Sequence, residues 1–190
     1  MTSDACVETI RHPLRTYSRV EILAHPSPAP ARSGVYGWYF RTIPNTVDAS
    51  RCTEFGGLKL LYLGIAPRAK GSKASLRSRL RNHYGGNAEG STLRLTLGCL
   101  LGLELRRVGG GTVMTFGPAE ADLSAWMAEN AFVMWVEDPE PWLLEPVLIR
   151  AFDLPLNLDQ NTNHVFHTVL SQLRRDARRR ALRLPVYSAN

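Results

Sequence analysis

The 190-residue sequence predicts an α/β (α+β) fold in which a small central sheet is flanked by helices. Two short segments, SGVYGWYF at 33–40 and KLLYLGIA at 59–66, read as strands, whose successive side chains point to opposite faces. Other stretches repeat apolar residues at three- and four-residue intervals, as amphipathic helices do. A composition of 44% apolar and 21% charged residues suits one core of ordinary size, so a single domain spanning 1–190 is expected.

Residues 17–24 (YSRVEILA) read as a short strand, and the proline-rich HPSPAPARSG that follows reads as a connector. In the strand at 34–40, Tyr36, Trp38 and Phe40 share one face, and Val35 and Tyr39 flank Gly37 on the other. Residues 41–58, with Pro44, Asn45, Gly56 and Gly57, read as a long loop. In 59–66, Leu60, Tyr62 and Gly64 are expected on one face and Leu61, Leu63 and Ile65 on the other. Both faces are largely apolar, which predicts an interior strand.

Residues 75–84 read as a helix with Leu76, Leu80 and Tyr84 inward, and Arg79 and His83 stacked one turn apart at the margin of that stripe. The apolar segment 93–105 is compatible with a helix. RRVGGGTVMTF reads as a loop and then a strand; its glycines at 109–111 lack the Lys-Ser/Thr of a phosphate loop and are expected to form a flexible turn. A helix opened by Pro118 is expected over 118–130, followed by a strand at AFVMWVE. A helix over 142–152 carries Leu144, Val147, Leu148, Ala151 and Phe152 on its apolar face, with Glu145 on the margin. The last helix, 164–183, buries Phe166, Val169, Leu170, Leu173, Ala177 and Ala181 and turns most of its arginines outward.

Charge is clustered. Residues 66–83 hold Arg68, Lys70, Lys73, Arg77, Arg79 and Arg81 with no acid, and residues 165–190 hold six arginines against Asp176, while the whole chain carries a net +6. Such blocks are the electrostatic footprint of a polyanion binder. For the tail taken alone, a solvated helix face serves equally well, since arginine outnumbers lysine 20 to 3. The absence of an 18-residue apolar run and of a basic-then-apolar amino terminus leads to the expectation of a soluble cytoplasmic protein. Cys6, Cys52 and Cys99 are odd in number and far apart, which predicts reduced thiols. His164 and His167 lack a third ligand at suitable spacing, so a helix-start or packing role is expected.

GVY at 34–36, YLG at 62–64, RLRNH at 79–83, LLEP at 143–146 and LPLN at 154–157, in that order, resemble the GIY-YIG nuclease family. The twelve-residue step from Glu145 to Asn157 also resembles the family. The likeness spans 34–157. Tyr36 and Tyr62 stand 26 residues apart, more than is usual in the family, as in members with a grown hairpin loop, whose lengthening costs little. Residues 85–117 read as an insertion. Pro146 directly after Glu145 requires the helix to begin near 141–143 or to bend.

The resemblance implies a mainly antiparallel sheet, an N-terminal extension at 1–32, a nuclease core at 33–158, and a basic C-terminal helix and tail at 159–190. It implies hydrolysis of phosphodiester bonds in nucleic acid, DNA in preference to RNA, with Mg²⁺ (or Mn²⁺) held by Glu145. Arg79 would meet the scissile phosphate, and His83 would position water or the neighbouring tyrosine. Tyr36 would be the general base, although a free phenol has a pKa of about 10 and needs nearby positive charge for that role. Tyr62 would orient the water or the other tyrosine, and Asn157 would hold the glutamate or a loop backbone. Arg68, Lys70, Lys73, Arg77, Arg81, Arg174, Arg175, Arg178 and Arg179 are the expected nucleic-acid contacts. Taken singly, each tyrosine reads as a core aromatic and Glu145 as a helix-start carboxylate. A noncatalytic nucleic-acid-binding or adaptor protein with the same fold is the alternative. No lysine follows Lys73, which rules out a late Asp/Glu-x-Lys nuclease strand.

Overall fold

In a computed structural model, which describes residues 2–109 and 111–188, the chain runs from α1 (Ser3–Arg11) and α2 (Arg19–Leu23) to β1 (Gly34–Phe40), β2 (Glu54–Phe55) and β3 (Leu58–Ala66). Then come α3 (Leu76–Gly85), α4 (Thr92–Leu100), β4 (Arg106–Arg107), β5 (Met114–Thr115), α5 (Ala119–Asn130) and β6 (Ala131–Glu137). The chain ends with α6 (Pro141–Ala151) and α7 (His167–Arg183). The main sheet has the order β2-β3-β1-β6 and is antiparallel throughout, and β4 and β5 form a separate small pair. The α/β reading with a small antiparallel sheet therefore holds, and β3 is interior as its two apolar faces required.

Alternation along β1 divides the molecule into layers. Tyr36, Trp38 and Phe40 pack with Leu76, Leu80 and Tyr84 of α3, Leu93 of α4, Leu123 of α5 and Ala177 of α7. Val35 and Tyr39 pack with Cys6 and Ile10 of α1 and Leu144, Leu148 and Ile149 of α6. The Tyr39 hydroxyl donates to the Ile10 carbonyl, so α1 is pinned to its face of the sheet.

The expected alternation of β3 is interrupted. Trp38 stands opposite Tyr62 and Tyr39 opposite Leu60, which leaves Leu61 as an extra residue in a β-bulge. Leu60 consequently joins Leu63 and Ile65 on the α6 side, while Leu61 and Tyr62 face the α3 side. Beyond the bulge Gly64 is paired with Tyr36. A Cβ on Gly64 would meet the Tyr36 hydroxyl at 2.5 Å and its ring carbons at 2.6 and 2.8 Å, so the glycine is the seat of that ring.

Residues 17–24 are not the expected strand. Ser18 and Glu21 form a capping box, with the Ser18 N–H donating to Glu21 Oε2 at 2.8 Å, and this starts α2 instead. Only Tyr17 adds to the sheet, through a bridge to Val133. The segment after β1 contains the short β2, and α4 stops at Leu100, ahead of Gly102 with its φ of +74°. The turn expected at 109–111 includes Gly110, which lies outside the described residues. α7 begins at His167; before it, His164 Nδ1 accepts the Phe166 N–H, leaving Nε2–H to donate to Asp153 at 3.0 Å. The three cysteines are buried and free. Among the described residues no helix is long and apolar enough to cross a membrane.

Because β2 is only two residues long, most of the outer edge of β3 needs another cover. The segment after α6 supplies it. The Leu156 N–H donates to the Leu61 carbonyl at 3.1 Å, and the Asn157 side chain does the work of a neighbouring strand: Oδ1 accepts the Leu63 N–H and Nδ2 donates to the Leu63 carbonyl, both at 2.9 Å. Asn157 therefore holds the strand backbone between Tyr62 and Gly64, and its side-chain hydrogen bonds go neither to the glutamate nor to a loop. Asn157→Ala leaves two buried backbone groups without partners, each costing about 1–3 kcal/mol. A fall in stability of about 2 kcal/mol or more is expected, read as a lower denaturation midpoint at unchanged slope.

Candidate active site

α3 starts at Ser75, whose side chain accepts the Ser78 N–H, and its apolar stripe locks the helix onto the sheet. That docking sends Arg79 and His83, one turn apart, toward Tyr36. Tyr36 Oη lies 2.9 Å from His83 Nε2, and His83 Nδ1 lies 2.7 Å from Ser91 Oγ. Arg79 Nε donates to Tyr36 Oη at 3.4 Å and its Nη1 to the Gly90 carbonyl at 3.0 Å. Ser91 is the N-cap of α4 and accepts the Arg94 N–H at 3.1 Å, so the chain from Arg79 to Ser91 is anchored at both ends to helix starts and turns.

Burial, then the charges of Arg79, Arg68 and Arg94, hold the His83 pKa well below the ordinary value, so the imidazole is neutral at pH 7. Arginine can only donate, so the phenol proton is directed at Nε2, and the imidazole N–H then sits on Nδ1, facing Ser91; the hydrogen-bond network assigns this tautomer. Burial also pushes the Tyr36 hydroxyl far above the usual phenol range, with Tyr62 adding to the rise and Arg79 and Arg68 opposing it. At rest the cluster is a neutral phenol and a neutral imidazole beside a guanidinium. Tyr36 is 1% exposed and His83 0%, which seals their hydroxyl and imidazole away from water.

A small cleft of about 50 Å³ opens beside this cluster and is lined by Tyr62, Arg68, Glu145, Asp159 and Arg174. The Tyr62 ring meets His83 edge-on with centroids 6.4 Å apart, and its hydroxyl lies 3.5 Å from Thr92 Oγ1. Arg68, in the loop after β3, pairs with Asp159 at 3.9 Å. Glu145 reaches the cleft because its helical neighbours Leu144 and Leu148 are fixed against the sheet. Its Oε2 accepts from Gln160 Nε2 at 3.0 Å. α6 continues through Pro146, which has no N–H for the Trp142 carbonyl, so the proline costs one helical bond without ending the helix. Burial pushes the Glu145 carboxyl above its ordinary value, Arg68 and Gln160 oppose this, and Asp159 adds to it.

Tyr36, Arg79 and His83 thus meet in one hydrogen-bonded chain, and Tyr62 and Glu145 meet in the adjoining cleft, with Tyr62 touching both. Arg68 and Arg174 line that cleft. Lys70 and Lys73 are exposed on the loop after β3, and Arg175, Arg178 and Arg179 are exposed on α7. Arg77 and Arg81 also reach the N-terminal segment: Arg77 Nε donates to the Ala29 carbonyl at 2.7 Å, and Arg81 Nη1 to the carbonyls of Leu23 and Ala24 at 3.2 and 3.4 Å. Ser91, Gln160 and Asp159 were not singled out from sequence. Only Ser91 carried a signal, as a serine directly before an apolar helical run.

Residues 34–180 match the GIY-YIG catalytic domain in a comparison with protein-family models. The chain belongs to the GIY-YIG family. The matched GIY-YIG segment runs past Asn157 and includes most of α7, and it marks the chain as a nuclease-family protein whose substrate class is nucleic acid. Comparisons with curated proteins and with solved structures found no match.

GIY-YIG nucleases generally use a divalent ion. Glu145 fits one: it is a hard oxygen donor whose negative charge is desolvated and only partly offset by Arg68 and Gln160. Among the described residues no group of three or more His, Cys, Asp or Glu stands together. An ion here would rest on Glu145, beside Asp159 that pairs with Arg68 in the same cleft, and complete its shell with water and phosphate oxygens, as Mg²⁺ commonly does.

Proposed function

We propose that the protein is an endonuclease that hydrolyses phosphodiester bonds in DNA with Mg²⁺ or Mn²⁺ held by Glu145. The observation that carries this reading is the convergence of Glu145, Tyr62 and Arg68 on one cleft against the Tyr36–His83–Arg79 chain. Attack of water on phosphorus builds negative charge on the nonbridging and leaving oxygens, which calls for fixed positive charge and a route for the proton. A bound divalent ion supplies Lewis-acid polarisation of the phosphate. Arg79 is fixed by Tyr36 and Gly90 through Nε and Nη1, and Nη2 makes no hydrogen bond among the described residues, which suits it to the phosphate. Arg68, which lines the cleft, adds a second cation.

The resemblance gives the base role to Tyr36, whereas the geometry favours Tyr62 as the hydroxyl that meets the attacking water. Tyr36 is sealed and gives its proton to His83, and in this reading it orients Arg79. Tyr62→Phe is accordingly expected to lower the cleavage rate by about 10²-fold or more, the usual worth of a positioned proton-transfer group. Tyr36→Phe is expected to cost less. A larger loss for Tyr36→Phe returns the base role to that residue.

Lys70, Lys73, Arg175, Arg178 and Arg179 are proposed as backbone contacts that give affinity without sequence preference and weaken with salt. Three buried free thiols support a reducing, cytoplasmic setting. The test is nicking of supercoiled plasmid, with a structured RNA run in parallel, by wild type in Mg²⁺ or EDTA and by Arg79→Ala. Nicking of DNA only by wild type with metal is expected. Equal nicking by both proteins exposes a contaminant, and salt-sensitive DNA binding without nicking in any metal supports the noncatalytic alternative.

A further inference from the structure

Arg174 stands apart from the other arginines of α7. Leu170, Arg174, Ala177 and Ala181 follow at spacings of four, three and four, which puts them on one helical face. That face is the buried one: Leu170, Ala177 and Ala181 are 0%, 3% and 0% exposed. Arg174 therefore occupies a position where helical periodicity calls for an apolar side chain, while Arg175, Arg178 and Arg179 point to solvent.

Its charge is poorly matched. The Nε atom is buried with no partner, and among the described residues the one hydrogen bond of the guanidinium runs from Nη1 to Thr96 Oγ1 at 3.5 Å, the outer limit for such a bond. No carboxylate among the described residues lies within ion-pair distance, and Asp159, in the same cleft, pairs with Arg68. Burial and then the neighbouring Arg178 disfavour the charged form, and Cys99, Asp159 and Tyr62 offset this only in part. Arg174 as a whole is half-buried, and a partly desolvated cation without a paired carboxylate destabilises the protein that carries it. Its side chain borders the cleft that holds Glu145 and Tyr62. An anion arriving in that cleft is the partner the fold itself omits.

We propose that Arg174 is a catalytic residue whose guanidinium contacts the scissile phosphate, so that α7 forms a wall of the active site. This rests on the nuclease reading and adds a residue from outside the motifs that suggested it. Arg174→Met keeps the stem and removes the charge, and Arg174→Lys keeps a charge without the fork. In single-turnover cleavage at saturating duplex DNA, Arg174→Met is expected to slow the reaction by about 10²- to 10³-fold, the effect of losing one donor to a developing oxyanion, and Arg174→Lys is expected to recover part of it. The ligand-free Arg174→Met protein is expected to melt at a higher temperature than wild type, which a merely structural arginine would not give.

A second arm needs no turnover: inorganic phosphate at constant ionic strength is expected to raise the melting temperature of wild type and not of Arg174→Met. Cleavage by Arg174→Met at the wild-type rate under saturation overturns the proposal, as does a lowered melting temperature shared by both variants. If wild type with metal does not cut at all, the nuclease reading fails and the phosphate arm decides alone. Phosphate then stabilises only wild type if Arg174 is an anion site, and an equal response in both proteins removes it.

Discussion

Glu145→Gln is expected to lower DNA cleavage by on the order of 10³-fold and, at the same time, to stabilise the metal-free protein. The first effect follows from loss of the carboxylate proposed to hold the divalent ion, since Lewis-acid help is worth several kcal/mol and each factor of ten in rate is about 1.4 kcal/mol. The second follows from the direction of the Glu145 shift. Burial raises its pKa in the folded protein, so ionisation works against folding. The stability that the protonated form contributes is present in full at low pH and is lost as pH rises through the elevated value. Glutamine carries no such penalty. In EDTA the melting temperature of Glu145→Gln should exceed that of wild type at pH 7, and the gap should close as pH falls below the ordinary carboxylate range. Added Mg²⁺ should raise the melting temperature of wild type alone, because only that protein binds the ion through this carboxylate.

Arg94→Met should be the most destabilising single substitution in the helical layer, by about 3–5 kcal/mol, the cost of breaking a buried ion pair on one side. Arg94 is 0% exposed and reaches Glu120 Oε2 through Nε at 3.1 Å and Nη2 at 2.7 Å. The same guanidinium also donates to the His83 and Tyr84 carbonyls at the end of α3 and to Ser124 Oγ. Burial pushes the Glu120 carboxyl up, but hydrogen bonds from Arg94 and from the Ala88 and Phe116 N–H groups outweigh it and hold the pKa below the ordinary value. A lowered carboxylate contributes stability above its unfolded pKa and loses it as pH falls through the folded one. Wild type should therefore show an acid limb in its stability curve that Arg94→Met lacks. A denaturant series from neutral to acid pH reads both features. Because Arg94 follows the Ser91 cap and holds the carbonyl of His83, the variant should also loosen the Tyr36–His83 contact.

Much of the central sheet was legible because its strands announce themselves locally. The β1 run from Gly34 to Phe40 needs no partner to declare its period, and the apolar stripe of Leu76, Leu80 and Tyr84 fixes both α3 and the direction of Arg79 and His83. The bulge at Leu61 was not legible, since an extra residue exists only relative to the strand opposite it. Residues 17–24 had a helix signal in Ser18 and Glu21 that the β-branched Val20 and Ile22 obscured.

The candidate site divides in the same way. Motif order pointed to Tyr36, Tyr62, Arg79, His83, Glu145 and Asn157, but the partner of Asn157 lies across the chain at Leu63 and cannot be read from spacing. The Arg94–Glu120 pair joins two segments of the stretch read as an insertion and its flank, and only tertiary contact shows it. The carbonyl partners of Arg77 and Arg81 could not be read from the charged run that holds them. Arg174 read from sequence as one more basic nucleic-acid contact of the tail, although it shares a helical face with Leu170 and Ala177. Its meaning depends on the cleft that this face borders.

A magnesium titration of single-turnover nicking, run on wild type and Glu145→Gln with one labelled DNA duplex, tests the central claim most directly. Wild type should gain activity saturably with Mg²⁺ and lose it in EDTA, and Glu145→Gln should stay near background across the whole range. Cleavage by Glu145→Gln with the same magnesium dependence as wild type would contradict the assignment of the metal to this cleft.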